Sequence, residues 1–141
     1  METTVNPYLN FNGNTAAAME FYKSVLGGDL TMQTFGEANM AQDAKDKDLI
    51  VHAALKSGSV VIMASDTLPS TPVTAGSNFR LSLQGQDAKG LTDIFNNLSQ
   101  GGEVEMPLAK QFWGDTFGML TDKFGIHWMV NISSGQPPAV S

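Results

Sequence analysis

The sequence predicts an α+β fold: two tandem βαβββ modules that form curved mixed sheets around a cleft, with the helices on the outer faces. The first observation is an internal repeat, in which residues 9–13 (LNFNG) resemble residues 81–85 (LSLQG), and residues 27–32 (GGDLTM) resemble residues 101–106 (GGEVEM). The second is that each copy runs from a strand through a polar turn, a helix and a Gly-Gly stop to another strand. A supersecondary unit that occurs twice in one short chain predicts two related halves.

The whole chain has the length of a single domain, since 141 residues suffice for one hydrophobic core. We expect module one at about residues 5–66 and module two at about residues 77–132. Residues 67–76 are rich in Ser, Thr and Pro and are predicted to be the linker. The tail after Ser133 contains Gly and Pro and is expected to fray.

Module one begins with an alternating strand at residues 6–11, which puts three polar side chains on one face: Asn6, Tyr8 and Asn10. An amphipathic helix follows, which Asn14 or Thr15 is expected to cap and Gly27 to end. Three further strands are predicted, at residues 30–35, 49–55 and 60–64. Residues 36–48 are polar without an apolar period, which indicates a loop with room for one short helical turn.

Module two repeats this order. Its helix has a stripe of apolar residues, at Leu91, Ile94, Phe95 and Leu98. Its strands are predicted at residues 79–83, 104–106, about 111–120 and 126–131. Because each helix has one apolar stripe, it should cover one face of its sheet and leave the other face free. Small sheets also leave edge strands that need covering, which favours a homodimer.

The composition excludes several classes of partner. Fourteen acidic and eight basic residues give a net charge of −6, which repels nucleic-acid phosphates. No apolar run approaches the roughly 18 residues of a membrane span, so no membrane partner is expected. The chain has no cysteine, and its start does not resemble a secretory leader, so we expect a cytoplasmic protein.

Two segments in this duplicated frame resemble a known family. The helix end EFYKSVLG at residues 20–27 and the closing segment DKFGIHW at residues 122–128 look like the vicinal oxygen chelate superfamily, which includes glyoxalases, bleomycin-resistance proteins and extradiol dioxygenases. The segments VHA at residues 51–53, MASD at 63–66 and FWGD at 112–115 resemble its PhnB-like branch. That branch is often labelled 3-demethylubiquinone methyltransferase-like, although its fold does not justify the label.

The resemblance implies where a divalent metal would bind, namely near the start of the first strand and on the last strand of each module. Alignment of the repeat puts Asn6 and Asn78 at the two strand-start positions. It puts Ile62 or Met63, and Met129, at the two last-strand positions. Amide oxygens bind hard divalent ions weakly and a thioether prefers soft metals. We therefore expect neither the usual metal nor another cofactor.

His52 and His127 are the only histidines of the chain. Strand parity puts His127 on the same face as Met129, whereas the apolar residues on both sides of His52 leave its face undecided. Two histidines can share a metal or act as acid and base near neutral pH. They can equally be polar groups that backbone or water satisfies, and both interpretations stay open.

Arg80 is the only arginine, and strand parity puts it on the face of Asn78 and Ser82. A guanidinium there can hold a carboxylate or phosphate through two parallel hydrogen bonds. The alternative is that Arg80 pairs with a neighbouring acidic side chain or lies in solvent.

The aromatic and acidic residues of module two divide by their context. Trp113, beside Gly114, is predicted at the mouth of the cleft, whereas Trp128 alternates with His127 and should pack toward the helix. Asp115 and Asp122 lie near glycines in turn-like segments, where carboxylates accept hydrogen bonds from backbone N–H groups.

The first functional hypothesis is a homodimeric protein that binds a small, partly apolar molecule without the usual metal, and an anionic ligand is one option. The predicted ligand-binding residues of the cleft are Asn6, Tyr8, Asn10, His52, Met63, Asn78, Arg80, Trp113, His127 and Met129. The second hypothesis is a metal-dependent lyase, isomerase or dioxygenase with atypical ligands from His52 and His127. A third is a collapsed cleft in a protein that acts through its dimer surface alone. No catalytic residue is assigned.

Overall fold

The structure is a computed structural model that describes residues 2–135. The chain divides after Thr74 into two compact units, and each contains one helix of several turns and one four-stranded sheet. The part of the predicted frayed tail beyond Gly135 lies outside the described residues. Within residues 2–135, neither helix has the length and apolar character that a membrane span needs.

Module one contains five regular elements and one short 3-10 helix. They are β1 (Tyr8–Phe11), α1 (Thr15–Leu26), β2 (Asp29–Thr34), the 3-10 helix (Ala44–Asp46), β3 (Ile50–Ser57) and β4 (Val60–Asp66). The sheet order is β1-β4-β3-β2, in which β1 runs parallel to β4 and the other pairs are antiparallel. The 3-10 helix lies in the predicted loop and is the one short helical turn expected there.

Module two has the same succession of elements. They are β5 (Leu81–Gly85), α2 (Ala88–Leu98), β6 (Glu103–Lys110), β7 (Thr116–Thr121) and β8 (His127–Ile132). The sheet order is β5-β8-β7-β6, again with one parallel pair, β5 with β8. The prediction of an α+β fold built from two βαβββ units with mixed sheets is therefore confirmed.

Each helix buries one face of its own sheet. In module one the buried apolar residues are Leu9, Phe11, Ile50, Ala53, Leu55, Ile62 and Ala64 from the strands and Ala18, Met19 and Tyr22 from α1. In module two they are Leu120, Trp128, Val130 and Ile132 from the strands and Phe95 and Leu98 from α2. Trp128 is 1% exposed, which confirms that it packs toward the helix.

The opposite sheet faces have no helix of their own module on them, and we call them the open faces. Side chains alternate along a strand, so the strand registers assign their members. The open face of module one contains Tyr8, Asn10, Thr31, Gln33, His52, Ala54, Met63 and Ser65. The open face of module two contains Ser82, Gln84, Phe117, Met119, Thr121, His127, Met129 and Asn131.

The start of α1 is held by a residue distant in sequence. Asn14 takes the predicted N-cap position, but its side chain forms no capping hydrogen bond, and the hydroxyl of Thr15 has no hydrogen-bond partner. Instead the backbone N–H groups of Gly13 and Thr15 both donate to Oδ1 of Asp66 at 3.0 Å, and that of Ile50 donates to Oδ2 at 2.9 Å. Asp66 ends β4, and its carboxylate supplies the negative charge that the start of a helix favours.

The second glycine of each Gly-Gly stop lies against the sheet. A Cβ atom at Gly28 would overlap the carbonyl oxygen of Lys56, and a Cβ atom at Gly102 would overlap that of Thr121. Lys56 and Thr121 take the same place near the end of the third strand of their modules. The repeat therefore preserves glycine where the backbones approach too closely for any side chain.

Module two departs from the prediction along β6. The strand continues to Lys110, well beyond the predicted end at Met106, and it passes through Pro107. Proline is tolerated because β6 is an edge strand, which does not need every N–H for pairing. Residues 111–115, predicted to be a strand, form a turn in which the N–H of Gln111 donates to the carbonyl oxygen of Asp115 at 2.8 Å.

Candidate functional site

The strand registers show which residues of the two modules correspond. Thr67 N–H donates to the carbonyl of Phe11 at 2.8 Å, and Ser133 N–H donates in the same way to the carbonyl of Gly85 at 2.7 Å. Phe11 therefore corresponds to Gly85. The alignment of LNFNG with LSLQG pairs Phe11 with Leu83 instead, so the structural equivalence of the two first strands differs from that alignment by two residues.

The corrected register changes the equivalent of Asn6, which is Arg80 and not Asn78. Asn78 is exposed and precedes β5. The same register relates the last strands of the modules: Tyr8 of β1 pairs with Met63 of β4, and Ser82 of β5 pairs with Met129 of β8. Because Ile62 is 2% exposed on the helix side, Met63 is the open-face equivalent of Met129.

The open face of module one has an aromatic pair beside a thioether. The hydroxyl of Tyr8 lies 3.2 Å from Nδ1 of His52, and the two ring centroids are 5.8 Å apart. His52 is exposed and pairs in register with Gln33, which settles the face that its apolar neighbours left undecided. The half-buried Met63 is the register partner of Tyr8.

The two asparagines predicted for this part of the site are exposed. Asn10 accepts a long hydrogen bond from the hydroxyl of Ser65, at 3.5 Å, across the β1–β4 pair. Asn6 precedes β1, and its side-chain amide donates to the hydroxyl of Thr4 at 3.0 Å.

Arg80 forms an ion pair with Glu105, which agrees with the second of its two predicted roles, pairing with a neighbouring acidic side chain. Its Nη1 donates to Oε1 of Glu105 at 3.2 Å and its Nη2 donates to Oε2 at 2.8 Å. The same Nη1 donates to the carbonyl oxygen of Trp128 at 3.2 Å. Direct binding of an external anion by Arg80 stays a prediction, because Glu105 already fills the guanidinium fork.

A hydrogen-bonded chain continues from Glu105 across the open face of module two. The hydroxyl of Thr121 donates to Oε1 of Glu105 at 2.6 Å and lies 2.7 Å from Nδ1 of His127. Nε2 of His127 lies 3.1 Å from the carbonyl oxygen of Gly76. The hydrogen bonds from Arg80 and then Thr121 lower the pKa of Glu105 from 4.5 to about 2.

Two residues of this hydrogen-bonded chain are not predictable from the sequence pattern. Glu105 and Thr121 lie on strands whose apolar pattern does not mark them. Thr121 pairs in register with Glu103, and the shift after Val104 leaves Glu105 unpaired on β7 but within hydrogen-bond distance of the Thr121 hydroxyl. The sequence signal for Glu105 is that it is the second of two acidic residues in the repeated segment GGEVEM.

The apolar part of module two's open face is built from Met129, Met119 and an aromatic group. Met119 pairs in register with Met129, and both are half-buried. Trp113 lies in the turn after β6, where its ring contacts Phe112 edge to face at 4.9 Å and Phe117 at 6.0 Å between centroids.

The predicted structural roles of two aspartates are confirmed. Asp115 accepts from Nδ2 of Asn131 at 2.9 Å and from the N–H of Ser134 at 3.0 Å, and these hydrogen bonds lower its pKa. Asp122 accepts from the backbone N–H groups of Phe124 and Ile126 at 2.8 and 3.1 Å.

The two histidines do not occupy equivalent positions. By register, His52 corresponds to Phe117 and His127 corresponds to Val61. Over residues 2–135, no three His, Asp or Glu side chains form a group that could hold a metal ion.

The four positions at which the sequence resemblance implies metal ligands carry, in the corrected register, an amide, a guanidinium and two thioethers, from Asn6, Arg80, Met63 and Met129. A guanidinium has no lone pair to offer, and thioethers suit soft metals. This donor set does not fit a hard divalent ion.

Comparison with known proteins gives a consistent result. The Glyoxalase/Bleomycin resistance protein/Dioxygenase superfamily matches the chain over residues 4–130. Protein YjdN of Escherichia coli K12 is 35% identical, over 94% of this chain and 97% of its own. The crystal structure of protein PA1353 from Pseudomonas aeruginosa is 41% identical with a TM-score of 0.85, and the match covers 94% of this chain and 98% of that one.

A more distant structure supports the fold alone. The PhnB protein from Bacillus cereus is 22% identical with a TM-score of 0.76, over 93% of this chain and the whole of that one (100%). The sequence resemblance, the βαβββ repeat and the match over residues 4–130 agree. The chain belongs to the glyoxalase/bleomycin resistance protein/dioxygenase superfamily.

Proposed function

We propose that this protein binds a small molecule on the open faces of its sheets and does so without the divalent metal usual in its superfamily. One observation carries the proposal. In each module the helix buries one sheet face, whereas the other face displays half-exposed thioethers between aromatic and hydrogen-bonding side chains.

The composition of these faces suits a ligand site. Met63 and Met129 take the same central position of their sheets, and unbranched thioethers adapt to ligands of different shape. Tyr8 and His52 on one face, and Ser82 and Asn131 on the other, supply the polar groups that orient a ligand on an apolar floor.

The metal-free part of the proposal is supported by the donor set. Arg80 takes a position where the superfamily would need a ligand, and it brings a positive charge that repels a divalent cation. The enzymatic alternative, a metal-dependent lyase, isomerase or dioxygenase, would need His52 and His127, which are not equivalent in the repeat.

Homodimerisation and a cytoplasmic location remain parts of the proposal. β2 and β6 are edge strands, and β6 exposes Val104 and Met106 by 42% and 37%. An exposed apolar edge favours pairing with a second copy. Light scattering of the purified protein would test the dimer, and a monomer mass at micromolar concentration would contradict it.

A thermal-shift screen of chemically varied small molecules tests the binding proposal. Ligands found with chelator-treated protein are retested on Met63→Ala and Met129→Ala, with Met40→Ala as the control because Met40 is 58% exposed and outside the sheets. We expect about tenfold weaker binding in at least one sheet variant, from roughly 1.4 kcal/mol of lost contact.

Two results would contradict the proposal. One is a set of ligands that bind only after a divalent metal is restored, with metal bound stoichiometrically and lost in His52→Ala or His127→Ala. The other is binding that survives both methionine substitutions unchanged.

A further inference from the structure

We propose that Arg80 and Thr121 form a carboxylate-binding site on module two, which Glu105 occupies in the free chain and which a carboxylate-bearing ligand takes over. The inference rests on the proposed function, since it concerns a small molecule bound on an open sheet face. It identifies the chemical class of that molecule.

The intramolecular contact shows what the site accepts. Three donors converge on one carboxylate: Nη1 and Nη2 of Arg80, at 3.2 and 2.8 Å, and the hydroxyl of Thr121, at 2.6 Å. Two of them form the planar fork that matches a carboxylate and that a lysine cannot reproduce. Glu105 is thus an internal stand-in for a ligand carboxylate.

The donors are held by groups other than Glu105. The carbonyl oxygen of Trp128 accepts from Arg80, and Nδ1 of His127 lies 2.7 Å from the Thr121 hydroxyl. Trp128 is 1% exposed and lies in β8, so its carbonyl is a fixed anchor. The guanidinium and the hydroxyl should therefore keep their positions when Glu105 leaves, and a preorganised site costs less to fill.

Glu105 is placed where it can leave. The β6–β7 register shifts between Val104 and Met106, so that Glu105 has no partner residue on β7. β6 is an edge strand whose residues are exposed except for Leu108, and the Glu105 side chain itself is 32% exposed. A bulged edge residue can turn outward without breaking a central strand.

The surroundings specify the rest of the ligand. Met119 and Met129 are register partners on the same open face, and Met129 is also the register partner of Ser82. They offer apolar surface next to a carboxylate fork, so the preferred ligand carries an apolar body beside its carboxylate. Benzoate is the simplest probe of this kind, and benzamide is its uncharged control.

Competition from the Glu105 carboxylate determines how tightly benzoate should bind. An internal carboxylate competes at high effective concentration, so the free chain should bind benzoate weakly. Removal of the competitor should strengthen binding. The low pKa of Glu105 agrees, since the donors favour the charged form of a carboxylate.

Calorimetric titration with benzoate and benzamide tests the inference on five proteins. They are the wild type, Glu105→Ala, the double variants Glu105→Ala/Arg80→Gln and Glu105→Ala/Thr121→Val, and Glu103→Ala, which removes a carboxylate from the same strand. We expect Glu105→Ala to bind benzoate at least about tenfold more tightly than the wild type or Glu103→Ala. Both double variants should lose most of that gain, and benzamide should show none of it.

Two outcomes would overturn the inference: no gain in Glu105→Ala, or an equal gain for benzamide. Glu105→Gln keeps the side-chain volume and serves where the alanine variant unfolds. If the wild type binds neutral molecules of the screen but Glu105→Ala shows no carboxylate preference, only this inference fails. If neither the screen nor benzoate gives binding, the proposed function fails with it.

Discussion

Trp128 donates its indole N–H to Oδ2 of Asp122 at 2.8 Å, and both side chains are buried. Oδ1 of the same carboxylate accepts from the N–H groups of Phe124 and Ile126. Asp122 therefore ties the turn before β8 to the core residue that α2 covers. In module one a buried aspartate has a similar role, although Asp66 is not at the equivalent position of the repeat. Its carboxylate accepts hydrogen bonds from three backbone N–H groups.

Replacement of Trp128 by phenylalanine should destabilise the protein by about 3 kcal/mol, since it removes a buried charge-assisted hydrogen bond and core volume. Chemical denaturation measures the change. Trp113→Phe, in a half-buried turn position, is the control and should cost less than about 1 kcal/mol. Equal losses in the two variants would show that the Asp122 contact contributes nothing.

Asp66→Ala should cost about 3–5 kcal/mol, because three backbone N–H groups lose their acceptor. Asp66→Asn should also destabilise, since its amide nitrogen would face the donor of Ile50 or of Thr15. The control is Asp87→Ala, which removes a cap whose Oδ1 accepts from Gly90 at 3.0 Å. That change should cost only about 1 kcal/mol, and a larger loss there than at Asp66 would contradict the prediction.

Gly102→Ala should destabilise by about 3 kcal/mol or prevent folding, because the new methyl group overlaps the Thr121 carbonyl. Gly58→Ala is the matched control. Gly58 has a φ of +58° and open space around it, so alanine there should cost only about 1 kcal/mol of backbone strain. Thermal unfolding of the two variants decides, and similar melting temperatures would refute the steric argument.

Glu105 should make folding depend on pH in the acid range. Its pKa falls from 4.5 to about 2 on folding, so its stabilising contribution is complete above pH 4.5 and is lost as the pH drops toward about 2. Chemical denaturation at a series of pH values measures this effect. The free energy of unfolding of Glu105→Gln should fall less steeply between pH 4.5 and about 2 than that of the wild type. Arg80→Gln should reduce the slope in the same way, and the double variant should show less than the sum. A wild-type slope in Glu105→Gln would exclude this contribution.

Much of the fold follows from local patterns, and the exceptions have physical causes. The stripe from Leu91 to Leu98 and the glycine after it predict α2 because a helix on a sheet must be amphipathic and must end where the chain turns. The predicted length of β6 is too short because the residues of this exposed edge strand do not alternate between apolar and polar beyond Met106. The acceptor at the start of α1 could not be predicted, since Asp66 lies 51 residues from Thr15 along the chain.

The candidate site was predictable in its residue types but not in its pairings. Parity placed Tyr8, His127 and Met129 on their strand faces correctly, because side chains alternate in any strand. The fork of Arg80 on Glu105 depends on a bulge in β6, and the shift of the repeat by two residues depends on backbone hydrogen bonds. Neither feature changes the pattern of apolar and polar residues along the strands, so neither can be predicted from it.

Each four-stranded sheet is made from one uninterrupted stretch of chain, since β1 pairs with β4 and β5 pairs with β8 without any strand exchanged across residues 67–80. Even the pairings that are widest in sequence, such as Tyr8 with Met63 and Leu81 with Trp128, therefore stay within one module, which limits the entropic cost of loop closure. During synthesis, the first sheet can complete its pairing before the second has left the ribosome. The duplication thus divides one folding problem into two successive smaller ones.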